Sequence, residues 1–124
     1  MVLGTPVMRG SCSTAMRSAR AKALKMSQSE VSTLASIVQA ETAKRDEAPI
    51  IAGVYHNRLR IGMPLQADPT LKFALGLDSL SRILTTDLRI ESPYNTYTHT
   101  GLPPGPINMP EPGFIDAVLT PQKH

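Results

Sequence analysis

Hydrophobic and polar positions separate most cleanly between Ser27 and Thr42. Val31, Leu34, Ala35 and Val38 recur there at the i, i+3, i+4, i+7 spacing of one buried helical face. Ser27 with Glu30 three residues on forms a capping box, and Met26 with Val31 is spaced as a hydrophobic staple. The pattern predicts a helix from Gln28 to about Lys44. Ile50, Ile51, Val54, Tyr55 and Leu59 predict a second, from about Glu47 to Arg60, with Asp46 as N-cap, acids in the first turn, and Gly62 and Pro64 as the stop. An earlier helix is expected over Met16 to Lys25. Asp68-Pro69-Thr70 reads as N-cap, N1 and N2 of a short helix through Leu75, stopped by Gly76. Leu80, Ile83, Leu84 and Leu88 suit another short helix, and Pro112 at N1 before Phe114, Ile115, Val118 and Leu119 marks a last one. Arg89 to Thr100 reads as a strand or hairpin, because Thr96, Tyr97 and Thr98 favour extended backbone. The fold class predicted is α+β, mainly helical.

Glu41 breaks the pattern. It lies three residues past Val38 and seven past Leu34, so a carboxylate projects close to the apolar stripe. Burial there would disfavour the charged form and raise the pKa, as a proton donor near neutral pH requires. The alternative is a rim residue that ends the helix and pairs with Arg58 or Arg60.

Composition narrows the classes of function. A chain of 124 residues has room for one modest core. The net charge of +3 is uneven: Arg9, Arg17, Arg20, Lys22 and Lys25 precede the first acid, and the remainder holds eight bases against ten acids. The basic start reads as a solvated helix face rather than a nucleic-acid patch, since no aromatic residue is interleaved for base stacking. Cys12 is the single cysteine, which leaves no internal disulfide. His56, His99 and His124 are scattered, so no metal site and no cofactor is predicted. Residues 1–15 lack an apolar run long enough for a signal segment or a membrane span.

Several blocks carry a family resemblance: Leu34-Ala35-Ser36-Ile37-Val38 through Glu41-Thr42, Asn57-Arg58-Leu59 with Gly62-Met63-Pro64-Leu65-Gln66, Asp68-Pro69-Thr70, Ser92-Pro93-Tyr94-Asn95-Thr96-Tyr97, and Gly101-Leu102-Pro103-Pro104-Gly105-Pro106-Ile107. In order and spacing the chain resembles the MltG-type (YceG-like) endolytic murein transglycosylases of bacteria, over roughly residues 20 to 122. The resemblance implies a lysozyme-like catalytic domain that cuts peptidoglycan glycan strands internally and leaves 1,6-anhydro-N-acetylmuramic acid ends. It carries the family's catalytic glutamate onto Glu41. Members commonly have a glutamate where this chain has Gln39, and an amide there cannot act as a general acid. It further implies a cell-envelope setting, glycan strands and cell-wall synthases as partners, and a membrane-spanning helix and LysM-like module that this sequence does not contain. The family's catalytic domain also continues past Pro121-Gln122-Lys123-His124. The organisation expected is a non-family, disordered segment over 1–15 and a partial, C-terminally truncated catalytic domain over 16–124.

A lytic transglycosylase needs one acid, because the substrate's own C6 hydroxyl is the nucleophile. Other residues are candidates for holding substrate. Gln66 has no evident cap or periodicity role, so its amide is available for a sugar acetamide or hydroxyl. Asp68 could touch substrate or cap the Pro69 helix. Asn57 could face the substrate or bond to the following loop. Tyr94, Asn95 and Tyr97 lie on the expected strand, with Asn95 and Tyr97 on one side and Tyr94 on the other. Gly101 to Ile107 could wall the cleft or serve as a structural turn. Beside the active enzyme stand two alternatives: a non-catalytic peptidoglycan-binding or scaffold fragment, and a small basic nucleic-acid-binding protein, which the charge balance disfavours.

Overall fold

In the computed structural model, residues 14–42, 44–78 and 81–122 are described. Most of the expected 1–15 segment, including Cys12, lies outside them, as does Leu80. The chain forms α1 (Thr14–Ala23), α2 (Gln28–Glu41), α3 (Ala48–Ile61), α4 (Asp68–Leu75), a 3₁₀ turn (Thr85–Arg89) and α5 (Pro112–Leu119).

The capping box forms as read. Glu30 N–H donates to Ser27 Oγ at 3.1 Å, and Ser27 N–H to Glu30 Oε1 at 2.8 Å. α2 stops at Glu41 rather than near Lys44, because Thr42 turns extended at φ −144°. α3 is not capped by Asp46: Glu47 holds the N-cap position without a side-chain bond, and backbone bonds from Glu47 N–H to Lys44 O and from Ala48 N–H to Arg45 O close the approach. Gly62 and Gly76 end α3 and α4 in left-handed conformations, φ +74° and +70°, that a Cβ would strain.

The α+β, lysozyme-like expectation is not met: among the described residues there is no strand and no sheet, and the architecture is helical. The stretch Arg89 to Thr100 is a series of turns, touched by one isolated antiparallel bridge between Pro64 and Thr100. The reason is Asn95. Its fully buried amide donates to Leu88 O at 3.2 Å and Ile90 O at 2.8 Å, and its Oδ1 accepts from Tyr97 N–H at 3.0 Å. One side chain thereby takes up backbone groups that a ladder would otherwise pair. The short helix expected around Ile83 to Leu88 reduces to the 3₁₀ turn, with Leu84 59% exposed.

The core lies between α2, α3 and α5. Leu34, Ala35, Ile37 and Val38 of α2 are fully buried against Phe114, Ala117, Val118 and Leu119 of α5, with Ala48, Ala52 and Tyr55 of α3 completing it. α1 flanks this core through Arg17, whose guanidinium meets buried Asp116 at 2.9 and 3.4 Å. α4 flanks it on α2 with Leu71. His56 Nε2–H of α3 donates to Val118 O at 2.8 Å, tying α3 to α5. The C-terminal half of α2 also holds the loop that leads into α5. Ile107 N–H donates to Ser36 Oγ, Asn108 Nδ2 to Ser36 O, and Glu111 N–H to Gln39 Oε1 at 2.7 Å, while Gln39 Nε2 reaches Met109 O at 3.2 Å.

Candidate active site

Glu41 is the last residue of α2, and its side chain is exposed. The burial read from its helical stripe is therefore absent: the stripe closes at Val38, and Glu41 sits a turn beyond, at the rim. Nor does it pair with arginine among the described residues. Its Oε1 accepts a hydrogen bond at 3.2 Å from the hydroxyl of Tyr55, a residue only 5% exposed. The turn after Glu41 is fixed by Thr42, whose Oγ1 donates to Glu47 Oε1 at 3.1 Å and accepts from Lys44 N–H at 3.0 Å.

Tyr55 belongs to a second stripe on α3. Ile51, Val54, Tyr55 and Arg58, again at i, i+3, i+4, i+7, line a cleft of about 290 Å³ together with Glu41, Gln66, Asp68 and Tyr97. Arg58 stands 6.0 Å from the Tyr55 ring centroid and donates to Leu65 O at 2.6 Å. Gln66 and Asp68 reach the cleft from the Leu65-to-Asp68 segment, which buried hydroxyls anchor. Thr96 Oγ1 accepts from Ala67 N–H, Thr70 Oγ1 donates to Ala67 O, and the two threonine hydroxyls bond each other, each at 2.9 Å.

Asp68 does not cap α4. Ala67 occupies the N-cap and Asp68 is the first helical residue, and its carboxylate accepts from the Tyr97 hydroxyl. Burial, the Asp68 bond and the nearby carboxylate charges push the Tyr97 phenol from 10.0 up to about 12. Burial, and then the charge and hydrogen bond of Glu41, push the Tyr55 phenol well above its ordinary value. Both phenols therefore stay protonated as donors to their carboxylates.

The cleft brings together Glu41, Gln66, Asp68 and Tyr97 from widely separated blocks, and leaves three sequence candidates out. Asn57 lies on another side of α3, in a depression shared with His56, Arg60 and Gly101, and accepts from Arg60 at 3.3 Å. Asn95 is buried in its turn. Tyr94 packs on Phe73, ring centroids 4.8 Å apart and tilted by 50°. Sequence reasoning placed Tyr55 on the apolar side of its helix and missed its hydroxyl. The available signal was a phenol and a guanidinium, Tyr55 and Arg58, one turn apart on the face that Ile51 begins. Among the described residues no cluster of His, Cys, Asp and Glu could hold a metal ion.

These features define a helical domain whose polar cleft gathers two carboxylates, two phenols and a guanidinium at the end of its central helix. The chain belongs to the YceG-like family, whose sequence profile matches residues 7–124. It is 43% identical over 99 residues to the endolytic murein transglycosylase of Bacillus subtilis (strain 168), covering 80% of this chain and 27% of that protein. It is 37% identical over 106 residues to the endolytic murein transglycosylase of Streptococcus pneumoniae serotype 2 (strain D39), covering 82% and 19%. The crystal structure of a YceG-like protein from Listeria monocytogenes superposes with a TM-score of 0.80 at 39% identity, over 89% of this chain and 36% of that one. The chain thus spans between 19% and 27% of the length of these curated relatives. No helix among the described residues is long and apolar enough to cross a membrane.

Proposed function

We infer that this chain carries the acid-bearing part of a peptidoglycan lytic transglycosylase, with Glu41 as the catalytic residue. The observation that supports this most is the Glu41 carboxyl: it opens onto the cleft, and one of its oxygens is fixed by the buried Tyr55 hydroxyl. Curated relatives that align over four-fifths of the chain are named endolytic murein transglycosylases. In this reading the scissile bond joins N-acetylmuramic acid to N-acetylglucosamine. Glu41 gives its proton to the bridging oxygen as that bond breaks. The resulting carboxylate then takes the C6 hydroxyl proton while the C6 oxygen closes on C1, leaving a 1,6-anhydro end and consuming no water. Arg58 supplies a cation to the same wall, and Asp68, already engaged by Tyr97, is a substrate contact rather than a second base. The setting that follows is the cell envelope, where the glycan is.

The test is a digest of uncrosslinked peptidoglycan followed by mass spectrometry. Fragments with anhydro ends are expected, whereas ends one water heavier would mean hydrolysis and defeat this mechanism. Glu41→Gln keeps the shape and removes the transferable proton, so turnover should fall at least ~10²-fold with the melting temperature nearly unchanged. Full activity in Glu41→Gln would end the assignment.

A further inference from the structure

Gln66 has a backbone conformation that glycine or asparagine usually adopts. Its φ is +55°, in the left-handed region that a Cβ disfavours. The surrounding bonds hold it there. Arg58 clasps the Leu65 carbonyl at 2.6 Å, Gln66 N–H donates to Thr96 O at 3.0 Å, and the Thr96 and Thr70 hydroxyls hold both backbone groups of Ala67. Glycine would meet every one of these backbone demands without strain. The position instead carries a long carboxamide that is exposed, lines the cleft, and makes no hydrogen bond to protein among the described residues. Strain retained at a cleft residue that the fold does not need points to use of the side chain.

The neighbouring groups indicate which use. When ionised, the carboxylates of Glu41 and Asp68 only accept, the tyrosine hydroxyls are committed to those carboxylates, and Arg58 only donates. With any Glu41 proton reserved for the bridging oxygen, the Gln66 carboxamide is the side chain lining the cleft that offers a donor and an acceptor side by side for holding a substituent. That pair is the complement of a secondary amide. We propose that Gln66 is the specificity-determining residue of the cleft, pairing through its amide with the acetamido group of the sugar seated next to Glu41. This rests on the reading of the cleft as a glycan site.

The experiment measures binding of two probes by titration calorimetry: a β-1,4-linked tetramer of N-acetylglucosamine and its fully de-N-acetylated counterpart. The full chain is compared with Gln66→Gly, which relieves the backbone, and with Gln66→Met, which keeps length and strain but lacks polar atoms. Deacetylation creates ammonium groups that meet the same carboxylates in all three proteins, so a change in the ratio of the two Kd values isolates Gln66. In the parent the acetylated tetramer should be favoured over what either variant shows by about tenfold in that ratio. Gln66→Gly should melt at or above the parent, and Gln66→Met close to it. An unchanged ratio in both variants overturns the proposal. So does failure of the parent to bind the acetylated tetramer, or a lost ratio accompanied by a lowered melting temperature in both variants, which would make Gln66 structural. The catalytic reading fails separately: a chain that releases no anhydro ends yet shows the Gln66-dependent ratio retains this binding role without that chemistry.

Discussion

At the scale of single residues, two phenols pair with two carboxylates in one cleft, Tyr55 with Glu41 and Tyr97 with Asp68. This arrangement has a signature in stability at high pH. Unfolded tyrosines lose their protons near 10.0, whereas folded Tyr97 holds its proton to about 12. Between those values the unfolded state binds fewer protons than the native one, so stability falls as pH rises. The contribution is complete below pH 10 and gone above about 12, and Tyr55 adds a fall of the same sign. Melting temperatures across this range should therefore decline more steeply for the parent than for Tyr97→Phe, which has no proton to lose at that position. Equal slopes would mean that Tyr97 does not keep its proton in the folded chain.

At the scale of elements, α2 serves two purposes. One end of its polar side presents Glu41, and Ser36 and Gln39 clamp the loop that enters α5. Gln39→Ala removes the acceptor for Glu111 N–H and the donor to Met109 O. Because this loop is exposed, water replaces part of the loss, and the expected cost is about 0.5–1.5 kcal/mol in denaturant unfolding. Turnover per folded molecule should change far less than in Glu41→Gln; an equal loss would place Gln39 in the chemistry. α2 itself was legible in the sequence because its signals are local: a capping box, a staple and one periodic face, all within sixteen residues of chain. The start of α5 at Pro112 and the stops at Gly62 and Gly76 were legible for the same reason. The stretch after Arg89 was not. Threonine and tyrosine favour strands only where a partner strand exists, and a buried Asn95 satisfies the backbone there instead. The Asp68–Tyr97 pair was hidden differently, since its members lie 29 positions apart and each had an adequate local explanation. Periodicity singled Glu41 out as a candidate and overstated its burial.

At the scale of the whole molecule, the core depends on its last helix. Phe114 of α5 is 4% exposed, and Phe114→Ala should cost about 3–5 kcal/mol, a large share of what a domain this small possesses. The denaturant midpoint should drop sharply, and a shift of only a few tenths of a molar would show that the neighbours collapse into the space.

The contact between Arg17 and Asp116 joins positions 99 apart and brings the first helix against the last. Packing between distant parts of the chain has a consequence during synthesis. α2 is made early, but its covering helix is completed only at Leu119, roughly 4–16 s after Glu41 at about 5–20 residues per second. Through that interval the part of the Leu34, Ile37 and Val38 face that α5 covers stays bare even with α3 in place, an apolar surface of the kind that chaperones hold and that crowded nascent chains aggregate through. Synonymous codons that slow synthesis between α2 and α5 lengthen this wait without altering a single contact in the finished fold, and should lower the folded yield; an unchanged yield would show that the wait is harmless.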